Sequence, residues 1–115
     1  MLVLGVDPGT FKTGVGFVSS QDGDMTMTHS DVLSPPRSAS LSDRLAWIHD
    51  RMVQLLDELK PTVVAIEQPF VSRNVKAAMA VGQAQAVAMI AASHRNIPVV
   101  SYSPREVKKA VTDHG

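Results

Sequence analysis

Two carboxylates in this chain stand where a sheet would bring them together. Asp7 follows the apolar run Leu2-Val3-Leu4-Gly5-Val6, and Glu67 follows Val63-Val64-Ala65-Ile66. Each run has the length and composition of a strand. If the two strands are parallel neighbours, both side chains emerge at one end of the sheet, where open α/β sheets place ligands. Two ionised carboxylates about 4 Å apart repel by on the order of 4 kcal/mol at an effective dielectric of 20, so a proton or a cation must stand between them. Magnesium suits a site of one or two carboxylates completed by waters and phosphate oxygens, and it activates water for in-line displacement at phosphorus. The alternative is that Asp7 stabilises its own turn and Glu67 is a solvated strand end.

A second group of residues has the chemistry of nucleic-acid contact. Phe70 comes three residues after Glu67, and Ser72-Arg73-Asn74-Val75-Lys76 follows. An aromatic beside basic and amide groups at a sheet edge stacks on an unpaired base while its neighbours hold phosphates, each stack contributing roughly 1–3 kcal/mol. The plainer assignment for such a phenylalanine is the core. Lys108 and Lys109 are candidate phosphate contacts or simply a solvated helix face. Histidines 29, 49, 94 and 114 have no metal-ligand spacing and no serine partner in a nucleophile motif. Asp7-Pro8-Gly9-Thr10 with Gly14 is also similar to the first phosphate loop of actin-like and sugar-kinase ATPases, so this turn alone leaves two classes open.

The elements that position these residues follow from the pattern of apolar and turn residues. Leu2 to Val6 reads as a strand closed by Asp7-Pro8-Gly9-Thr10, with proline presetting φ and Gly9 supplying the positive φ of a type II turn. Thr13 to Ser19 and Met25 to Leu33 read as two more strands joined at Asp22-Gly23, a hairpin signal. A linker with Pro35-Pro36 leads to Ser40, an N-cap with Asp43 three positions on. Leu41, Leu45, Ile48, Met52, Leu55, Leu56 and Leu59 then mark one face of a helix that Pro61 ends. Strand, helix, strand order implies a right-handed crossover, which makes 63–66 parallel to an earlier strand. Asn74 to His94 reads as a helix without a polar face, hence covered on two sides, with a homodimer contact expected through Ala77, Ala80, Gly82, Ala84 and Ala88. Pro98 to Tyr102 is a further strand, and Pro104 opens a last helix.

Composition bounds the class. With 115 residues, 44% of them hydrophobic and 19% charged, the chain is a single globular domain spanning 1–115. The absence of cysteine removes disulfides, thiol nucleophiles and cysteine metal sites, and agrees with a cytoplasmic location. The run Ala77 to Ser93 falls short of the roughly 20 apolar residues of a spanning helix, so no membrane partner is expected. The amino terminus lacks the basic region and cleavage site of a signal peptide. Net charge is zero, but residues 1–67 carry five Lys/Arg against nine Asp/Glu and residues 68–115 six against two. That segregation offers one basic face to a polyanion, or reflects solvated helix faces.

Taken together, Leu4-Gly5-Val6-Asp7-Pro8-Gly9-Thr10 with Thr13-Gly14, Ala65-Ile66-Glu67-Gln68-Pro69-Phe70 with Asn74, Gly82-Gln83-Ala84, and Tyr102-Ser103-Pro104-Arg105-Glu106-Val107-Lys108-Lys109 resemble the RuvC family of Holliday-junction resolvases. The four blocks span nearly the whole chain, whereas the ATPase alternative explains only the first. The resemblance implies a ribonuclease-H-like α/β fold, a mixed sheet of about five strands with flanking helices. It also implies a homodimer and magnesium-dependent nicking, with manganese as the substitute, of opposing strands in four-way junction DNA. Asp7 and Glu67 match the family's first two metal-binding carboxylates, Phe70 an aromatic that contacts junction bases, and Lys108 a catalytic basic residue near the scissile phosphate. Arg73, Asn74 and Lys76 fall in the loop and helix start that face DNA, and branch-migration helicase subunits are the family's partners. The family completes its metal site with an Asp-x-x-Asp pair on a further helix. Nothing here matches it, because Asp113 lies in the wrong block. The expectation is therefore a piece or shortened relative of a resolvase that binds junctions and cuts them little or not at all as these 115 residues.

Overall fold

A computed structural model describes residues 1–67 and 74–102. Its chain order is β1 (Leu2–Asp7), β2 (Thr13–Gln21), β3 (Asp24–Leu33), α1 (Leu41–Leu59), β4 (Val63–Glu67), α2 (Val75–Ser93) and β5 (Val99–Tyr102). The strands form one mixed sheet in the order β3-β2-β1-β4-β5. The opening meander is antiparallel, with Asp7 opposite Gly14 and Gln21 opposite Asp24. Asp22 and Gly23 both take positive φ, 53° and 85°, which is the type I′ turn that suits the twist of a hairpin. The crossover through α1 then lays β4 parallel to β1, as the order of elements required.

Local chemistry sets the boundaries. The Ser40 hydroxyl accepts the Asp43 N–H at 3.2 Å and starts α1, a cap worth about 1 kcal/mol. Lys60 ends that helix in the left-handed region and returns its N–H to the Leu56 carbonyl. Asn74 caps α2 in the same way, its side chain accepting the Ala77 N–H at 3.3 Å. At the far end of the sheet Thr62 clamps Leu2, its hydroxyl donating to the Leu2 carbonyl at 2.8 Å and accepting the Leu2 N–H at 3.2 Å.

The core joins one face of the sheet to both helices. Leu4, Val6, Val15, Phe17, Leu33, Val64 and Ile66 pack with Ile48, Met52 and Leu56 of α1 and with Ala88, Ala91 and Ala92 of α2. Full burial of an aliphatic side chain such as Ile48 stabilises by roughly 1.5–3 kcal/mol. Of the helical stripe expected in α1, Ile48, Met52 and Leu56 in the middle turns are buried, and Leu41 and Leu59 at its two ends are exposed.

Helix α2 departs from expectation. Its small residues do not form one outward contact face: Ala84 and Ala88 are buried inside the chain, where their size lets α2 sit close to α1 and the sheet. The outward face is instead Val75, Met79, Gly82, Ala86, Met89 and Ser93, all exposed. By length and composition α2 also passes for a membrane span, against the sequence expectation, although its inner face packs as a core helix does.

Candidate active site

Both carboxylates lie at the same end of the sheet, on adjacent inner strands. Val6 pairs with Ile66 in the parallel register, so Asp7 and Glu67 are the next residues on adjacent strands, with backbones about 5 Å apart. Glu67 pairs in turn with Tyr102 of β5. Strand alternation puts Asp7, Glu67 and Tyr102 on one face, opposite to the core-facing Val6 and Ile66. The phenol responds to this placement. Burial, then the negative charges on Glu67 and Asp7, push its pKa up to about 12, so Tyr102 is a neutral hydroxyl throughout the physiological range.

The floor beside the carboxylates is smooth. Gly5, Gly14 and Gly16 face the same side, and a Cβ on Gly5 would stand 3.5 Å from the Tyr102 hydroxyl. One on Gly14 would meet the Asp7 Cβ at the same distance, an ordinary van der Waals contact.

The loop after Asp7 is held by Thr13, which is 1% exposed. Its hydroxyl donates to the Gly9 carbonyl at 2.7 Å and accepts the Gly9 N–H at 3.2 Å. Gly9 corrects the expected type II turn: its φ is not positive, and glycine is required because a Cβ would overlap the Lys12 carbonyl oxygen. The need is for close approach of backbone, a contact between positions three apart that turn chemistry did not suggest.

Of the other residues singled out, Asn74 and Lys76 lie at the start of α2, and both are exposed. Asn74 acts there as N-cap. Lys76 sits in a first turn that carries no acidic residue, where a cation opposes the helix dipole. Phe70, Arg73, Lys108, Lys109 and Asp113 lie outside the described residues. Sequence reasoning assigned no role to Thr13 or Tyr102. Their signals were present as a threonine four residues beyond Gly9 and a single tyrosine ending a strand parallel to that of Glu67.

Among the described residues no cluster of three His, Cys, Asp or Glu side chains exists. Asp7 and Glu67 therefore offer an oxygen-only, two-carboxylate donor set, which fits a hard divalent cation that keeps waters or takes phosphate oxygens. Such a set does not suit a softer metal that prefers nitrogen or sulfur.

A family profile described as crossover junction endodeoxyribonuclease RuvC matches residues 3–115. The chain belongs to the RuvC family. It is 39% identical over 115 residues to the crossover junction endodeoxyribonuclease RuvC of Dehalococcoides mccartyi, covering all of this chain and 69% of the relative. It is 43% identical to that of Thermomicrobium roseum, of which it covers 70%. The structure of T. thermophilus RuvC in complex with a Holliday junction substrate superposes with a TM-score of 0.88 at 32% identity, covering 100% of this chain and 70% of that one. These matches confirm the ribonuclease-H-like sheet and the family. They also extend well past the Asp7 loop that had admitted an ATPase.

Proposed function

We propose that this chain is a structure-specific DNA endonuclease that hydrolyses phosphodiester bonds in four-way junctions, the RuvC activity in recombination and repair. The observation that carries this reading is the register that sets Asp7 beside Glu67 at the sheet end, in a chain matched by the RuvC family along nearly its whole length. Asp7 and Glu67 would hold magnesium, or manganese in its place. A bound divalent cation supplies an activated water and neutralises charge at the phosphate.

The chain's own groups do the rest. Thr13 fixes the loop that carries Asp7, the glycine floor lets backbone or ligand come close, and Tyr102 closes the row as a neutral hydroxyl. Lys108 is assigned to the scissile phosphate, and Phe70, Arg73, Asn74, Lys76 and Lys109 to the junction. On the same reading the protein works in the cytoplasm, with branch-migration helicase subunits as its expected partners.

The test is incubation with a four-way junction and a matched linear duplex, with and without magnesium, reading binding and nicking in one gel. Junction-selective binding is expected, with paired magnesium-dependent nicks only at the low level that Asp7 and Glu67 support without the family's Asp-x-x-Asp pair. Asp7→Asn should remove them by more than the roughly 10–100-fold that loss of an outer-shell metal partner costs. Junction-selective binding without nicks makes the chain a binding module, and absence of both rejects the reading.

Homodimer formation is part of the same proposal. Val75, Met79, Gly82, Ala86, Met89 and Ser93 recur at alternating steps of four and three, the spacing of a helix–helix seam, and Gly82 has open space above it. Met79→Glu should leave a folded monomer in sedimentation where the native chain runs as a dimer. A native monomer at micromolar concentration rejects this contact.

A further inference from the structure

The loop that carries Asp7 also carries a surface cluster that the site above does not use. Phe11 is exposed (43%), and two guanidiniums lie over its ring, that of Arg44 4.2 Å and that of Arg37 5.1 Å from the centroid. Arg44 is pinned, its Nε donating to the Thr10 carbonyl at 3.3 Å and its Nη1 to the Ala39 carbonyl at 2.7 Å. Arg37 lies in a tight turn closed by the Ala39 N–H on the Pro36 carbonyl, and Lys12 follows Phe11 directly. Among the described residues none of these three cations takes part in a salt bridge. Among the described residues the carboxylates of the same sheet end are Asp7, Asp31, Asp43 and Glu67.

Two guanidiniums gathered on one exposed ring repel each other and leave apolar surface in water. An anion between them relieves the first cost. The planar fork of arginine fits phosphate oxygens, and stacking on an aromatic ring limits the freedom the side chain must lose on binding. Topology puts this cluster at the end of the sheet where Asp7 and Glu67 lie, because β1 and β4 end there, β2 begins there, and β3 delivers the 34–40 segment there.

We propose that Phe11, Arg37 and Arg44, with Lys12, form a phosphate-binding patch that holds the DNA backbone as it enters the carboxylate site. This rests on the nuclease reading. Arg37 makes the principal phosphate contact and Phe11 orders it. Arg44 is a positioning residue that ties the Asp7 loop to the 34–40 turn.

The experiment is binding of the four-way junction and the linear duplex by the whole chain between about 50 and 200 mM salt, a range over which phosphate contacts dominate affinity. Arg37→Ala, Arg37→Lys and Phe11→Leu are compared with the native chain and with Arg95→Ala, which removes a cation from the far end. Thermal melting confirms that each is folded. Arg37→Ala should weaken both DNAs by a similar factor and reduce the slope of log affinity against log salt by about 0.9, one phosphate contact. Arg37→Lys should restore the slope and only part of the affinity, and Phe11→Leu should lower affinity with the slope kept. The patch is rejected if Arg37→Ala matches Arg95→Ala, or if affinity falls with no change of slope. If the native chain binds neither DNA, the nuclease reading falls and the patch with it. If it binds and nicks while Arg37→Ala behaves as native, only the patch falls.

Discussion

The same strands and helices make both ends of this sheet, yet the two ends treat charge in opposite ways. At the far end Arg95 grips Asp57 through two bonds, Nε to Oδ1 at 2.7 Å and Nη2 to Oδ2 at 3.3 Å, and spends a third donor on the Ala91 carbonyl. The amino-terminal ammonium there donates to the Ser20 carbonyl at 2.8 Å. At the near end Asp7, Glu67 and Tyr102 share one face, and Lys12, Arg37, Arg44 and Lys76 take part in no salt bridge among the described residues. An arginine clamped on a carboxylate and a carbonyl, as Arg95 is on Asp57 and Ala91, serves the fold. An end that gathers carboxylates in a row beside Lys12, Arg37 and Arg44, none of them in a salt bridge among the described residues, suits a charged ligand from outside.

Glycine substitution separates the ends most strongly. Gly9→Ala drives a Cβ into the Lys12 backbone, so the loop must shift, at a cost of about 1–3 kcal/mol in stability. Nicking should be lost along with it. Gly23→Ala at the far hairpin has open space but a φ of 85°, so it should cost about 1 kcal/mol and leave nicking intact. Melting and junction nicking on the two variants check the contrast, and equal loss of activity from both would erase it.

Response to pH should differ in sign and size. The folded chain holds the Tyr102 proton more tightly than the unfolded chain, where a phenol titrates near 10. The stability this supplies is complete below about pH 10 and is lost as pH rises through about 12. With a single tyrosine in the chain, tyrosinate absorbance followed together with unfolding reports it directly. Titration near 10 with the fold intact would remove Tyr102 from the row. At the far end the Arg95 guanidinium lowers the Asp57 pKa, which contributes stability above the ordinary carboxylate range that is lost as pH falls through the lowered value. That effect should be the smaller, because the pair is open to solvent.

The sheet end was legible in the sequence because it rests on features that survive without coordinates. Two apolar runs each ending in a carboxylate, with a helix before the second, imply a parallel crossover, and the β1–β4 register then makes Asp7 and Glu67 neighbours. The hairpin at Asp22-Gly23 and the cap at Ser40 were equally local. What failed depended on packing that local signals do not encode. The role of Gly9 is set by the close approach of the Lys12 carbonyl, not by a positive φ. The inward turn of Ala84 and Ala88 is set by α1 and the sheet, which a stripe of small residues does not announce. Counting charge by halves of the chain does not single out Arg37 and Arg44, which come from the acidic half and meet over the Phe11 ring.

The register between β1 and β4 also orders assembly. Strands β1 to β3 pair through short connections, so the meander closes over little chain. Val3 pairs with Val63 across the hairpin, the 34–40 turn and α1, all of which lie between them in sequence. Contacts so distant in sequence are the slow ones to form. A chain that has folded only its meander already possesses the Asp7 loop and lacks Glu67 beside it, so the pair of carboxylates comes into existence with closure of the crossover and not before.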